Sequence, residues 1–238
     1  MQSPSTGRRT IAVFSLLVLL PAVPASAAVL TVDTTVDEFD LVANADCSLR
    51  EAVESANLDA DFGGCVGDGA YGDDTILLPA GTYGLTRTPA EDFLDLDNSV
   101  GDLDVTSGLM EELSAMRAPR VERGVFIEGS LEILGDGAGA TIVERAAAET
   151  FGVVQTDLFA PLRLVDLTVR GGEQVAGGGI FAEWDLDLER VVVRDNVARA
   201  PDAGGGGIVA FAGLILLDTL VTNNRVELED PCDVGPIT

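Results

Sequence analysis

The 238-residue sequence contains no histidine and no lysine, so all 14 of its basic residues are arginine. The general bases most often used in catalysis are therefore scarce, and any proton transfer would fall to Asp, Glu, Tyr or Arg. Against the 14 arginines stand 40 acidic residues, a formal net charge of −26. Such a surface repels phosphate backbones and anionic headgroups, which excludes nucleic-acid binding and electrostatic docking to membranes. It suits a salty medium or divalent cations, and its simplest role is to keep an extracellular protein soluble. Aromatic residues are few, leaving Trp184, Tyr71 and Tyr83 as the main candidates for stacking on a sugar ring.

Long apolar runs are also missing. The stretch Ile11 to Leu20 falls far short of the roughly 20 residues of a spanning helix. Arg8 and Arg9 precede it, and Pro21 and Pro24 follow, before Ala25, Ser26 and Ala27. That is the layout of an export signal cleaved after Ala27, so residues 1–27 read as a signal peptide. Thr10, Ile11 and Ala12 fit the twin-arginine route poorly, which favours ordinary secretion. The expected mature chain has no membrane span and is extracellular or on the outer cell surface. Residues 28–238 suffice for one domain with a sizeable core.

Of three cysteines, Cys47 and Cys65 lie close together in a chain expected to meet an oxidising compartment, and a disulfide between them is predicted. Two thiols, or a bridge from either to Cys232, are the alternatives. Cys232 is otherwise left over beside Pro231, free, bonded to another chain or lacking its partner. Ser48 and Glu51 have the spacing of a capping box opening a helix. Leu49, Ala52, Val53 and Ala56 then share one face, as a lid over the end of a repeat stack requires. Arg50 and Glu51 as a catalytic pair is the weaker alternative, because capping already accounts for Glu51.

The unbroken run Cys47, Ser48, Leu49, Arg50, Glu51, Ala52 resembles the signature of the CSLREA-domain family, secreted bacterial proteins similar to outer-membrane-repeat proteins. The resemblance extends to Gly101–Asp104, since family members carry an acidic segment ending in Gly, Asp, Leu, Asp. It implies an all-β fold, a right-handed parallel β-helix with an N-terminal amphipathic capping helix. It also implies a cell-surface adhesion or scaffold module without a defined catalytic activity.

Residues 28–72 are expected to hold a first strand at Leu30 to Val32 and the capping helix, and residues 73–238 the coils. Thr75–Leu78, the turn Pro79–Gly81 and the strand that follows read as the first coil. Residues 108–122, with Leu109, Met110, Leu113 and Met116, read as a helical insertion. The clearest repeat overlays Leu162–Gly172, Leu186–Asn196 and Leu214–Asn224, at spacings of 24 and 28 residues. Its columns are Leu162/Leu186/Leu214, Leu164/Leu188/Leu216 and Val169/Val193/Val221, the period of two that inward-facing strand positions need. Two glycine-rich runs, Gly177–Ala182 and Gly205–Ala210, supply Ile180 with Ala182 and Ile208 with Ala210, giving about three strands per coil. Gly172/Asn196/Asn224 is expected to hold left-handed turn positions and inter-coil bonds. Asp166/Arg190/Asp218 reads as a charge ladder, and Arg170 with Arg194 as stacked arginines that need nearby carboxylates.

An enzyme is the runner-up reading, a polysaccharide lyase or glycoside hydrolase acting on extracellular polysaccharide. Asp185 with Asp187 is a carboxylate pair of the kind that chance supplies in so acidic a chain, and no catalytic constellation is assembled in the sequence. A calcium-dependent structural coat protein is the third reading. Its metal candidates are Asp95, Asp97, Asp102 and Asp104, although their spacing matches no defined loop and alternation would place Asp102 and Asp104 on one solvated strand face. Apart from calcium, no cofactor is expected. The partners expected are extracellular polysaccharide or cell-surface components.

Overall fold

Short runs in which alternate residues are apolar become strands, and their repetition at matching offsets stacks them. The computed structural model describes residues 27–88, 98–107, 130–199 and 204–228. Residues 1–26, Asp95, Asp97, the insertion expected at 108–122 and Cys232 lie outside the described residues. In chain order the elements are β1 (Ala27–Thr31), α1 (Leu49–Asn57), β2 (Ala70–Leu78), β3 (Gly81–Leu85), β4 (Leu103–Val105) and β5 (Leu131–Gly135). There follow β6 (Thr141–Arg145), β7 (Val154–Thr156), β8 (Leu162–Val165), β9 (Thr168–Arg170), β10 (Glu173–Gln174) and β11 (Ile180–Ala182). The last are β12 (Leu186–Glu189), β13 (Val192–Arg194), β14 (Val197–Arg199), β15 (Ile208–Ala210), β16 (Leu214–Leu217), β17 (Leu220–Thr222) and β18 (Arg225–Glu227).

The protein is mostly β, with one helix among the described residues. Four sheets run β1-β2-β5-β8-β12-β16, β3-β6-β9-β13-β17, β4-β7-β11-β15 and β10-β14-β18. All the strand pairings within them are parallel. From Leu162 the chain visits the four sheets in a fixed cyclic order, so that each pass adds one strand to each. A pass therefore holds four strands where the sequence marked three. The missed one is the β10/β14 position, where strands of two and three residues are too short to show alternation.

Register follows the sequence columns. Leu186 lies opposite Leu162 and Leu214, Leu188 opposite Leu164 and Leu216, and Val193 opposite Val169 and Val221. Leu162, Leu164, Leu186 and Leu188 are buried in the core, while Arg163 and Asp187 between them are partly exposed. Burying each such leucine contributes about 1.5–3 kcal/mol, which fixes the register, since a slip by one residue would turn the whole set outward.

Asparagines lock one corner of the stack. Asn196 Oδ1 accepts from the Gly172 N–H at 2.9 Å, and Asn224 Oδ1 accepts from the Asn196 N–H at 3.0 Å and from Asn196 Nδ2 at 2.9 Å. The glycine runs leave room for this ladder, because a Cβ on Gly179 would stand 2.7 Å from Asn196 Nδ2, and one on Gly207 2.7 Å from Asn224 Cγ. The left-handed backbone lies one residue earlier than expected, at Gly171, Asp195 and Asn223. The side chains of Asn196 and Asn224 serve as ladder bonds, so the bend is passed to their neighbours. A second left-handed corner is the column Asp166, Arg190 and Asp218, with φ of 56°, 55° and 51°. Within it Arg190 donates from Nε and Nη2 to the two Asp166 oxygens, both at 2.7 Å. Arg170 pairs with Glu144 and Arg194 with Asp195, so carboxylates do face the stacked arginines.

Candidate functional site

The helix α1 begins at Ser48 because its hydroxyl accepts from the Glu51 N–H at 3.2 Å while Glu51 Oε2 accepts from the Ser48 N–H at 3.1 Å. Its face of Leu49, Ala52 and Val53 enters the core, with Ala56 packed against it. Cys47 and Cys65, with Cα atoms 4.6 Å apart, form a disulfide beside the cap. Arg50 and Glu51 diverge. Glu51 Oε1 turns to the Asp40 N–H at 3.0 Å, whereas the Arg50 side chain, fully removed from solvent, meets Asp37 at 2.7 Å. Its remaining N–H groups donate to the carbonyls of Asn98, Val100, Gly101 and Asp102 at 2.8–3.3 Å. The geometry makes Arg50 an internal clamp between segments 47–52 and 98–102.

Asp102 belongs to that clamp through its carbonyl, and Asp104 is buried, so the shared solvated face expected for Asp102 and Asp104 is not formed. Asn98 and Asn57 explain the difference. Asn98 Oδ1 accepts from the Asp104 N–H at 3.3 Å, and Asn57 Nδ2 donates to the Asp104 carbonyl at 2.7 Å, drawing β4 under the helix. Among the described residues no group of three or more Cys, Asp or Glu is disposed to hold a metal ion. The two tyrosines are engaged internally, Tyr71 donating to Asp61 at 2.7 Å and the buried Tyr83 to the Pro79 carbonyl at 2.9 Å. Asp185 accepts from the Gly213 N–H at 2.7 Å, while Asp187 points out from β12 between Arg163 and Ile215.

A small cavity of about 70 Å³ lies between α1, β4 and β5, lined in part by Asn57, Asp59, Asp74, Thr106 and Ser130. Asp74 Oδ1 accepts from the Gly72 N–H at 3.2 Å; its Oδ2 has no hydrogen-bond partner among the described residues. Burial, opposed by the Gly72 bond and aided by the charge of Asp59, pushes the Asp74 carboxyl up to about 6 from 3.8. Between those values the folded chain keeps a proton that the unfolded chain has released, so this group lowers stability as pH rises through that window. Asp74→Asn should remove the decrement and raise stability at pH 7 by about 1 kcal/mol, allowing for water in the cavity. Urea unfolding of both proteins between pH 4 and 7 checks this: the difference should open with rising pH, and parallel curves would refute it.

The arrangement best suited to a ligand is the stack of turns that follows β7 and β11. Ala182 lies opposite Thr156, so Glu183 and Asp157 fall one strand spacing apart, about 4.8 Å. Asp157 is 5 % exposed, accepts from the Leu158 N–H at 2.6 Å, and has Oδ2 without a hydrogen-bond partner among the described residues. Burial raises the carboxyl of Asp157; burial and then the neighbouring Asp157 raise that of Glu183. Beside them Phe159 and Trp184, both partly exposed, pack with ring centroids 4.7 Å apart. Phe159 holds φ at 66°, a left-handed conformation that costs a bulky residue about 1–3 kcal/mol. One pass on, Phe211 stands in the Glu183 column, 69 % exposed.

Trp184 was visible in the sequence as a stacking residue. Asp157, Phe159 and Glu183 were not, because the repeat overlay starts at Leu162 and only the pairing of β7 with β11 brings them together. An aromatic pair beside a carboxyl that can bond to hydroxyls can hold a sugar ring. Hydrolysis requires two carboxyls flanking the sugar, and Asp157 lies beneath the surface. No helix among the described residues is long and apolar enough to cross a membrane. No family model, curated protein or solved structure matches the chain.

Proposed function

We propose that the chain is a secreted right-handed parallel β-helix of the CSLREA-domain type, capped by α1, that works as an adhesion or scaffold module on extracellular polysaccharide. The cyclic order of parallel strands and the asparagine ladder support the β-helix. The disulfide fits an oxidising compartment, and the Arg50 clamp gives the family signature a structural reason. The observation that carries the binding reading is the Phe159–Trp184 pair beside Glu183, held on a strained turn. A lyase or hydrolase is the second reading, motivated by the raised carboxyls of Asp157 and Glu183.

Binding to a panel of neutral and acidic polysaccharides, with new reducing ends and unsaturated sugars scored in parallel, separates these readings. The expected result is binding without turnover, weakened about tenfold or more in Trp184→Ala at an unchanged melting temperature, as loss of one stacking face implies. Turnover by the wild type would replace adhesion with catalysis. Equal binding by the two proteins would remove the Phe159–Trp184 turns as the site, and binding by neither would remove polysaccharide as the ligand.

A further inference from the structure

The strand β1 begins where the sequence places the end of the export signal. Cleavage after Ala27 would make Ala28 the first residue, yet Ala28 is an interior position of β1 and wholly buried. Its surroundings are set by an irregularity in the pairing: Ala27 lies opposite Ala70 and Val29 opposite Thr75, so residues 71–74 bow out against Ala28 alone. Asp74 closes that bow. Its own N–H donates to the Ser130 carbonyl at 2.9 Å, and its carboxyl, 3 % exposed, lies near enough to the Ala28 N–H for that group to favour the ionised form.

The carboxyl is short of positive charge. Oδ1 accepts from the Gly72 N–H, Oδ2 has no hydrogen-bond partner among the described residues, and the charges that act on the group, Asp59 and Asp73, are both negative. A carboxylate taken out of water without a cation beside it is costly, because nothing offsets the lost hydration. A peptide N–H at Ala28 supplies one donor and no charge. A free amino terminus at the same atom supplies three donors and, below the ordinary α-amino range of about 7.7–8.0, a positive charge. Hydrolysis by an export peptidase breaks the Ala27–Ala28 bond, the hydroxyl of water going to the Ala27 carbonyl carbon and a proton to the Ala28 nitrogen, which takes up a second proton from solvent.

Given the export reading proposed above, on which this rests, we infer that removal of the signal completes the buried site: the new α-ammonium of Ala28 forms an ion pair with the Asp74 carboxylate and locks β1 onto β2. Maturation thereby gains a direction. The uncut chain folds around an unpaired carboxylate and the cut chain around a pair, so the less stable form is the one that must cross the membrane unfolded. The cut also precedes folding, because a bond inside a paired strand, next to a fully buried residue, is out of reach of a peptidase.

The composition supplies a direct test. With no lysine in the sequence, the α-amino group is the only amine of the mature chain. The oxidised chain beginning at Ala28 should react with an amine-directed ester at pH 7 about tenfold or more slowly than the same chain extended by Ala25, Ser26 and Ala27, each rate being taken relative to that chain unfolded in urea. The amine of the extended chain is three residues removed, up to about 10 Å of extended backbone. In the chain beginning at Ala28, Asp74→Asn should restore fast labelling and lower the urea midpoint, whereas in the extended chain it should raise the midpoint, as expected above for the uncut chain. Equal labelling of the two folded chains, or the same sign of shift for Asp74→Asn in both, would overturn the ion pair. The exported protein, read by intact mass, should begin at Ala28. A different terminus on an exported chain would overturn this inference alone, and a chain retaining Met1 would overturn export with it.

Discussion

Arg50→Leu should lower the unfolding free energy by about 3–5 kcal/mol, the loss expected when one partner of a buried ion pair is removed. The guanidinium is enclosed, bonds Asp37, and supplies the carbonyls of Asn98, Val100, Gly101 and Asp102. Leucine would leave those oxygens and the Asp37 carboxylate with fewer donors in the same dry space. Arg50→Lys should recover only part of the loss, since one ammonium cannot reproduce the planar fork that reaches both Asp37 and the 98–102 turn. A shift of the urea midpoint at constant slope measures the effect. A change below about 1 kcal/mol would show that water takes the place of the guanidinium.

The second large effect is expected from the disulfide. Replacing Cys47 and Cys65 together by alanine releases a loop with a sequence separation of 18 and should cost roughly 3 kcal/mol by chain entropy. Both sulfurs are buried next to the Ser48 cap, so the damage should fall on α1 and the strands it covers. Hydrogen exchange of the double variant should show α1 amides opening first, while amides of β12 and β13 keep their protection. Uniform loss of protection would mean that the helix and the strand stack unfold as one unit. Because Arg50 lies three residues from Cys47 and anchors the same helix, the two losses should not add.

How much of this was readable beforehand depended on whether the cause was local. Ser48 and Glu51 sit three residues apart and bond each other, so their box was evident from spacing. Leu162, Leu186 and Leu214 were evident because strand side chains alternate and the pattern recurs. The role of Arg50 was hidden, since its carbonyl partners lie 48 to 52 residues along the chain. The burial of Asp104 was hidden for the same reason, being imposed by Asn57 and Asn98. The bend at Asp195 in place of Asn196 escaped because both residue types accept a left-handed backbone, and only the bonds across passes decide which one turns. Asp157 and Glu183 come together through β-pairing across 26 residues, an offset the repeat overlay did not contain.

The pairings also locate where the spacing changes from 24 to 28. Gln174 pairs with Ala198, 24 residues on, while Ile180 pairs with Ile208, 28 residues on. The four additional residues therefore fall in the connection between β14 and β15, and every column on either side keeps its alignment. That connection behaves as slack: sequence can be added or withdrawn there without renumbering which side chains meet. Natural variation in length, or a peptide grafted by design, should be absorbed at that point while the leucine and asparagine columns continue undisturbed.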